Sequence, residues 1–136
     1  MAEWLILRMP RAVDSAAGWL CADSEGRPLA AVQSGPLAAA AAAAAGRRVA
    51  VLVPAADVLS LEADLPQRSG ARAAQLVPFA LEEQLGADIE DQHFAVGHSS
   101  AEGRTAVAVV ARTLLEEWLA RLAAAGIRPE LLCSEA

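Results

Sequence analysis

Three short apolar runs precede the first helix-like segment of this chain. Each run has the length of a strand, and they occupy residues Trp4–Leu7, Gly18–Ala22 and Leu29–Val32. Turn-forming residues over Asp23–Gly26 separate the second run from the third, which predicts a hairpin. The Ala-rich segment that follows begins at Pro36 and ends at Gly46, and this placement of proline and glycine is typical of a helix. The sequence therefore predicts a β-β-β-α opening.

The next two segments have the patterns of strands. Val49–Val53 is continuously apolar, as expected for a central strand that is covered on both faces. Over Leu59–Leu65 apolar residues alternate with polar ones, so this segment is predicted to bury one face and to expose the other.

Residues Ser69–Leu85 carry a helical pattern. An apolar residue recurs at every fourth position and forms one stripe, made of Ala73, Val77, Leu81 and Leu85. Pro78 interrupts the pattern, because proline inside a helix removes a backbone donor and costs about 3 kcal/mol. Two readings stay open: the helix kinks at Pro78, or a second helix begins there and places Glu82 and Glu83 near its positively polarised amino end. Gly86 is the predicted C-cap.

The last third of the chain is predicted to hold two strands, a helix and a final strand. The two strands cover His93–Val96 and Thr105–Val110. Thr113 and Glu116 have the spacing of a capping box, and the helix that follows is predicted to bury Leu115, Trp118, Leu119 and Leu122. Gly126 and Pro129 end this helix, and Leu131–Cys133 resembles a strand. The full order is β-β-β-α-β followed by β-α-β-β-α-β, which makes this an α/β chain.

The charge of the chain is acidic. Seventeen acidic residues face 11 basic ones among 136 residues, the formal net charge is −6, and every basic residue is arginine. No basic stripe is visible, so we do not expect nucleic-acid binding, which depends on clustered positive charge. An acidic surface favours a partner with a basic patch, although negative charge can also serve solubility alone.

The cysteines and the chain ends indicate a cytoplasmic protein. Cys21 and Cys133 belong to no Cys-x-x-Cys pair and have no metal-ligand spacing with histidine, so reduced thiols are expected, with a disulfide between them left open. The amino end lacks the features of a signal peptide, and no apolar run approaches the roughly 20 residues of a membrane span. The chain stops at Ala136 directly after an apolar run, as if it were cut inside a fold.

No catalytic, cofactor-binding or metal-binding residue is predicted. A β-β-β-α-β opening is the order of actin-like ATPases, which cradle phosphates at an Asp-x-Gly turn between their first two strands. Here Asp14 lies in that connection, but Ala16 stands where the glycine would allow close approach to a phosphate. Nucleophilic catalysis would need a histidine beside a serine or cysteine. We expect His93 to be a packed or edge-strand residue and His98 to face solvent.

The stretch from Leu81 to Gln92 carries five acidic residues and no basic one. Its adjacent carboxylates do not face each other on a helix, as an acid–base pair would have to. Two interpretations stay open: the carboxylates form a solvated surface, or they dock a basic patch of another protein. The docking candidates, called the acidic segment below, are Glu82, Glu83, Asp88, Glu90 and Asp91.

Five motifs occur together in a characteristic order and spacing. They are Val51–Pro54, Leu65–Pro66, Val77–Leu85 (Val-Pro-Phe-Ala-Leu-Glu-Glu-Gln-Leu), Glu90–Ala95 (Glu-Asp-Gln-His-Phe-Ala) and the segment from Trp118 to Pro129. In this arrangement the chain resembles the cytoplasmic domain of the type II secretion system protein L family. The resemblance is strongest over Val49–Pro129, and the residues before it contribute less.

The resemblance implies a fold, a function and a location. The fold would be actin-like (ribonuclease H-like) and partial, with residues 1–136 forming the N-terminal part of a cytoplasmic domain whose second lobe is a small α/β lobe. The function would be that of a non-enzymatic scaffold, without cofactors, that recruits the secretion ATPase (protein E of the same system) to the cytoplasmic side of the bacterial inner membrane. The full-length protein would also contact protein M, and its membrane span would lie outside this chain.

Three alternatives remain beside this family. They are a nucleotide-binding actin-like protein, a homologue from the type IV pilus platform, and a homodimer that forms through exposed strand edges.

Overall fold

The chain folds into two compact units. The structure, a computed structural model, describes residues 2–10, 15–64, 73–82, 85, 88–99 and 104–135. The first unit comprises Met1–Ala55 and Glu117–Ala136, and the second comprises Ala56–Glu116. The second unit is therefore an insertion in the sequence of the first.

The order of helices and strands agrees with the prediction from sequence. The strands are β1 (Trp4–Arg8), β2 (Ala17–Ala22), β3 (Gln33–Gly35), β4 (Arg48–Val53), β5 (Leu59–Asp64), β6 (Gln92–Ser99), β7 (Arg104–Ala111) and β8 (Leu131–Ser134). The α-helices are α1 (Ala41–Ala44), between β3 and β4, α2 (Ala73–Leu81), between β5 and β6, and α3 (Arg112–Ala124), between β7 and β8. The predicted order, β-β-β-α-β and then β-α-β-β-α-β, is confirmed.

A five-stranded sheet forms the first unit, in the spatial order β3-β2-β1-β4-β8. β2 is antiparallel to β1 and β3, whereas β1, β4 and β8 are parallel. β4 is the predicted central strand, in which Val49, Val51 and Val53 are buried and Ala50 and Leu52 are partly buried. The carboxyl ends of the three parallel strands lie at the same edge, which is where open α/β sheets bind ligands.

The third strand lies later in the sequence than predicted. Leu29–Val32 is not a strand, and β3 pairs Gln33 with Trp19 of β2. Pro28 makes an isolated antiparallel bridge with Ala22, and beside it the N–H of Leu29 donates to the carbonyl of Cys21 at 2.8 Å. The bridge does not continue into a strand, pairing with β2 resumes only at Gln33, and the side chain of Leu29 is 52% exposed.

The Ala-rich segment forms the predicted helix in two parts. A 3-10 turn over Leu37–Ala40 leads directly into α1. Gly46 follows with φ +72°, a conformation that glycine adopts without a steric penalty. The predicted termination of this helix at Gly46 is confirmed.

α3 ends in a Schellman motif. The N–H of Gly126 donates to the carbonyl of Ala123 at 3.0 Å, and the N–H of Ile127 donates to the carbonyl of Leu122 at 2.9 Å. Gly126 has φ +79°, as the motif requires. An apolar contact between the two outer residues commonly accompanies the motif, and here Leu122 and Ile127 are both almost fully buried.

Two details of α3 differ from the prediction. The helix begins at Arg112, directly after β7, so Thr113 lies inside it and the predicted capping box is wrong. The predicted burial of Leu119 is also wrong, because its side chain is 39% exposed while Trp118 and Leu122 are buried. Successive side chains differ by about 100° around a helix, which places Leu119 at the margin of the side that buries Trp118 and Leu122.

The second unit packs α2 against an antiparallel sheet in the order β5-β7-β6. Its core consists of buried apolar residues from the sheet and the helix, namely Ala63, Val77, Leu81, Val107 and Val109. Leu85 and Phe94 are partly buried against this core, together with Leu61 and Val96. The predicted core positions Val77, Leu81, Leu85 and Phe94 are thus confirmed.

Pro78 lies inside α2. The reading in which a second helix begins at Pro78 is therefore wrong, and the nine residues of α2 tolerate the loss of one backbone donor because Val77 and Leu81, on either side of it, are fully buried. The predicted helix residues before Ala73 and the predicted cap at Gly86 lie outside the described residues.

The two cysteines are free thiols. Cys21 lies in β2 and Cys133 lies in β8, with β1 and β4 between them. Neighbouring strands are about 4.8 Å apart, so three strand spacings separate these residues. That separation exceeds the Cα–Cα distance of about 7 Å beyond which a disulfide cannot form.

Candidate functional site

Four residues of the acidic segment lie on the surface of the second unit. Glu82 directly follows α2, and Ile89–Asp91 forms a 3-10 turn that leads into β6. The N–H of Asp91 closes this turn on the carbonyl of Asp88 at 3.1 Å. The side chains of Glu82, Asp88, Glu90 and Asp91 are all exposed. Glu83, the fifth predicted docking residue, lies outside the described residues.

No basic side chain within the described ranges pairs with these four carboxylates. Ion pairs are found elsewhere, at Arg8–Glu135, Arg27–Glu25, Arg47–Glu3, Arg48–Glu130 and Arg104–Glu62. Arg112, which lies near the acidic segment in the fold, donates instead to the backbone carbonyl of Gln92 at 3.4 Å. Within the described ranges, these four carboxylates therefore present negative charge to solvent without a basic partner.

α2, which ends just before Glu82, carries exposed apolar residues that the sequence alone did not single out. Phe79 is 68% exposed and Leu76 is 39% exposed, although both belong to α2. The apolar stripe predicted from sequence already indicated which side of α2 is exposed, because Val77 and Leu81 occupy the side that faces the sheet. At about 100° per residue, position 79 then lies opposite to this side and position 76 lies next to position 79, about 60° away around the helix.

A second place of interest is the carboxyl end of β1, where an actin-like protein would hold a phosphate. A cavity of about 440 Å³ lies there, lined among others by Arg8, Ser15, Ser34 and Glu135. Nε of Arg8 donates to Oε1 of Glu135. This hydrogen bond and the charge of Glu135 raise the pKa of Arg8, against a small opposing effect of desolvation. Any anion in this cavity would have to compete with Glu135 for the guanidinium.

Of the remaining candidates for chemistry, His93, His98 and Asp14, only His93 has a described side chain. His93 is exposed on β6, an edge strand of its sheet, as predicted. Asp14 and the side chain of His98 lie outside what the structure describes. Within the described part of the chain, no group of three or more His, Cys, Asp or Glu residues could hold a metal ion. No helix in that part combines the length and the hydropathy that crossing a membrane requires.

Comparison with protein families gives a match over almost the whole chain. The family model described as type II secretion system (T2SS), protein L matches residues 5–136. The type II secretion system protein L of Pectobacterium carotovorum subsp. carotovorum is 35% identical over 136 residues, which cover 97% of this chain and 32% of the relative. The protein of the same name from Pseudomonas aeruginosa is 40% identical over 80 residues, 59% of this chain and 21% of that protein. The chain thus spans about a third of the length of the first relative.

Among the solved structures similar to this chain are two that bear on its fold. The cytoplasmic domain of EpsL, an inner membrane component of the type II secretion system of Vibrio cholerae, superimposes with a TM-score of 0.80 at 25% identity, over 98% of this chain and 57% of that one. The PilM-PilN type IV pilus biogenesis complex gives a TM-score of 0.63 at 18% identity, over 96% of this chain and 47% of that one. Together with the sheet order, these similarities confirm the predicted actin-like α/β fold.

Proposed function

Because this chain belongs to the type II secretion system protein L family, we propose that it is part of the inner-membrane platform of that system and recruits the cytoplasmic secretion ATPase, protein E. The observation that carries the proposal is the similarity to the cytoplasmic domain of EpsL over 98% of the chain. A scaffold of this kind needs no catalytic centre, and its working parts are surfaces that bind other proteins.

The exposed carboxylates of the second unit support a role in protein binding. Glu82, Asp88, Glu90 and Asp91 have no basic partner among the described residues, so a basic surface could approach them without first displacing an ion pair. Complementary charge speeds association and aligns partners more than it adds raw affinity. In this proposal the acidic segment, including Glu83, steers the ATPase toward the platform.

The family also suggests where the protein works and what else it contacts. We place this chain on the cytoplasmic side of the bacterial inner membrane, joined by the remainder of the protein to the membrane and to protein M. A homodimer is compatible with this arrangement. The alternative of a type IV pilus platform protein has less support, because the PilM-PilN similarity at 18% identity concerns the fold alone.

Binding to the intact secretion ATPase tests the proposal directly. We expect calorimetric titration of this chain with the ATPase of the same secretion system to show saturable binding. An ATPase from an unrelated type IV pilus system, titrated in parallel, serves as the control for family specificity. A folded sample that gives no heat of binding with the cognate ATPase would refute the recruitment role.

Charge reversal of the acidic segment should weaken that binding. We expect a fourfold variant to bind about tenfold or more weakly and with a flatter dependence on salt, because exposed interfacial charges act mainly through long-range attraction. In this variant lysine replaces Glu82, Asp88, Glu90 and Asp91. Glu25→Lys, in the exposed hairpin turn of the first unit, is the matched control. Unchanged affinity and salt dependence in the fourfold variant would mean that these carboxylates are only solvated surface.

Nucleotide binding is the enzymatic alternative, and we expect it to be absent. Glu135 already neutralises Arg8 at the cavity beside β1, and its carboxylate would repel a phosphate. The connection to β2 also has Ala16 in place of the glycine that close approach to a phosphate needs. Titration with Mg-ATP should therefore give no saturable signal, whereas a saturable signal would favour an actin-like nucleotide-binding protein.

A further inference from the structure

α2 carries apolar residues both on the side that packs against the sheet and on the side that faces solvent. Val77 and Leu81 are fully buried in the core of the second unit. Leu76 and Phe79 lie three positions apart, which brings them to the same face of the helix, and they are 39% and 68% exposed. The outward face of α2 therefore keeps a leucine and a phenylalanine in water although the inward face already supplies the packing that holds the helix in place.

An exposed phenylalanine is of most use at an interface. Aromatic side chains are enriched where proteins bind one another, because each can bury about 150–250 Å² with little loss of conformational freedom. Single exposed apolar residues are common on protein surfaces and by themselves indicate nothing. Here two of them share one helix face, so the charges around that face decide what could cover it.

The charges at the end of this face are negative. Glu82 follows Phe79 by three residues, and the carboxyl end of a helix carries a negative partial charge of its own. Asp88, Glu90 and Asp91 precede β6, the strand that packs against α2. None of these carboxylates pairs with a basic side chain in the described part of the chain. A bound segment would thus meet apolar surface along α2 and negative charge at its carboxyl end.

From this arrangement we infer that the α2 face, formed by Leu76, Phe79 and Glu82, docks an amphipathic segment of the partner protein. The segment places an apolar side chain against Leu76 and Phe79, and it carries arginine or lysine where it meets Glu82. A second copy of this chain fits the site poorly, because it would bring a net charge of −6 and the same carboxylates against it. The inference rests on the proposed function in one respect, namely that the segment belongs to the secretion ATPase.

Substitution of Phe79 tests the inference. We expect Phe79→Ser to weaken binding of the intact ATPase by at least about tenfold, as truncation of an aromatic anchor does, and Glu82→Gln to reduce the salt dependence of the affinity. Leu29→Ser is the matched control, because Leu29 is 52% exposed on a loop of the first unit; it should change the affinity by less than about twofold. Circular dichroism checks that each variant is folded, which the exposure of Phe79 leads us to expect.

The outcomes separate the inference from the proposed function. Wild-type binding that Phe79→Ser leaves unchanged would overturn the inference and leave the recruitment role intact. Absence of wild-type binding would overturn the recruitment role, and a second probe then decides the inference. A self-association that is lost in Phe79→Ser would assign the α2 face to a second copy and would also overturn the inference.

The second probe is a pair of synthetic peptides that does not depend on the ATPase. Both are amphipathic helices with leucine on one face, and the other face carries arginine in one peptide and glutamate in the other. We expect the wild-type chain to bind the arginine peptide at least about tenfold more tightly than the glutamate peptide, and Phe79→Ser to abolish this preference. Equal binding of the two peptides, or binding of neither, would contradict the inference.

Discussion

Leu122→Ala is expected to lower the free energy of unfolding of the first unit by about 2–5 kcal/mol, the range for leucine-to-alanine changes in protein cores. Leu122 has no exposed surface. Its carbonyl also accepts the hydrogen bond from Ile127 that ends α3, so the cavity left by alanine would open beside the termination of the helix. A loss in the upper part of the range follows if the surrounding residues cannot collapse into the cavity.

Tryptophan fluorescence measures this effect selectively. All three tryptophans belong to the first unit, and Trp19 and Trp118 are buried, so the fluorescence transition in urea reports on that unit. Leu119→Ala is the matched control in the same helix, because Leu119 is 39% exposed and leaves little cavity. We expect the control to lose less than about 1 kcal/mol. Equal losses at the two positions would show that α3 does not pack as described.

Leu81→Ala should have an effect of similar size on the second unit. Leu81 is fully buried in the cluster that joins α2 to its sheet, and alanine there is expected to cost about 2–5 kcal/mol. The consequence is particularly severe for α2. The nine residues of this helix include Pro78, and a short helix depends on tertiary packing for its stability.

Hydrogen exchange is the suitable measurement for the second unit, which contains no tryptophan. Amides of β5, β6 and β7 should exchange faster in Leu81→Ala, because loosening of α2 uncovers the sheet. Leu76→Ala is the matched control on the outward side of the same helix, and we expect it to leave the exchange rates nearly unchanged. If Leu76→Ala accelerated exchange as much as Leu81→Ala, Leu76 would have to be packed in the core. The description of the α2 face as exposed would then be wrong, and the docking inference would lose its basis.

Short-range patterns predicted much of the local structure. The alternation over Leu59–Leu65 gave β5, and the glycines at positions 46 and 126 marked the ends of two helices, because these signals depend on backbone conformation and on one-sided burial within a few residues. The capping box at Thr113 failed for a related reason. The chain passes directly from β7 into α3 at Arg112, so Thr113 already lies inside the helix and cannot cap it. The spacing of Thr113 and Glu116 alone does not contain this information.

The candidate site was predicted in part. The acidic segment could be found from the sequence, because a run of five carboxylates without a basic residue is visible in any reading of it. Phe79 is less visible in the sequence, because it stands between Pro78 and Ala80 in an apolar stretch. The predicted stripe through Val77 and Leu81 indicates that position 79 lies away from the core, but the sequence left open whether one helix continues through Pro78. The packing of Val77 and Leu81 on a single helix against the sheet decides that Phe79 is exposed.

The sequence by itself determined the order and the type of the helices and strands, and through its motifs it determined the family. Only the tertiary structure decided which strands are neighbours, where β3 pairs, and that Cys21 and Cys133 are far apart. The physical reason is that periodicity reports how one segment meets its surroundings, whereas pairing is a competition between segments distant in sequence. Leu29–Val32 has the composition of a strand, yet the bridge at Pro28 does not continue along it, and β2 pairs with Gln33–Gly35 instead.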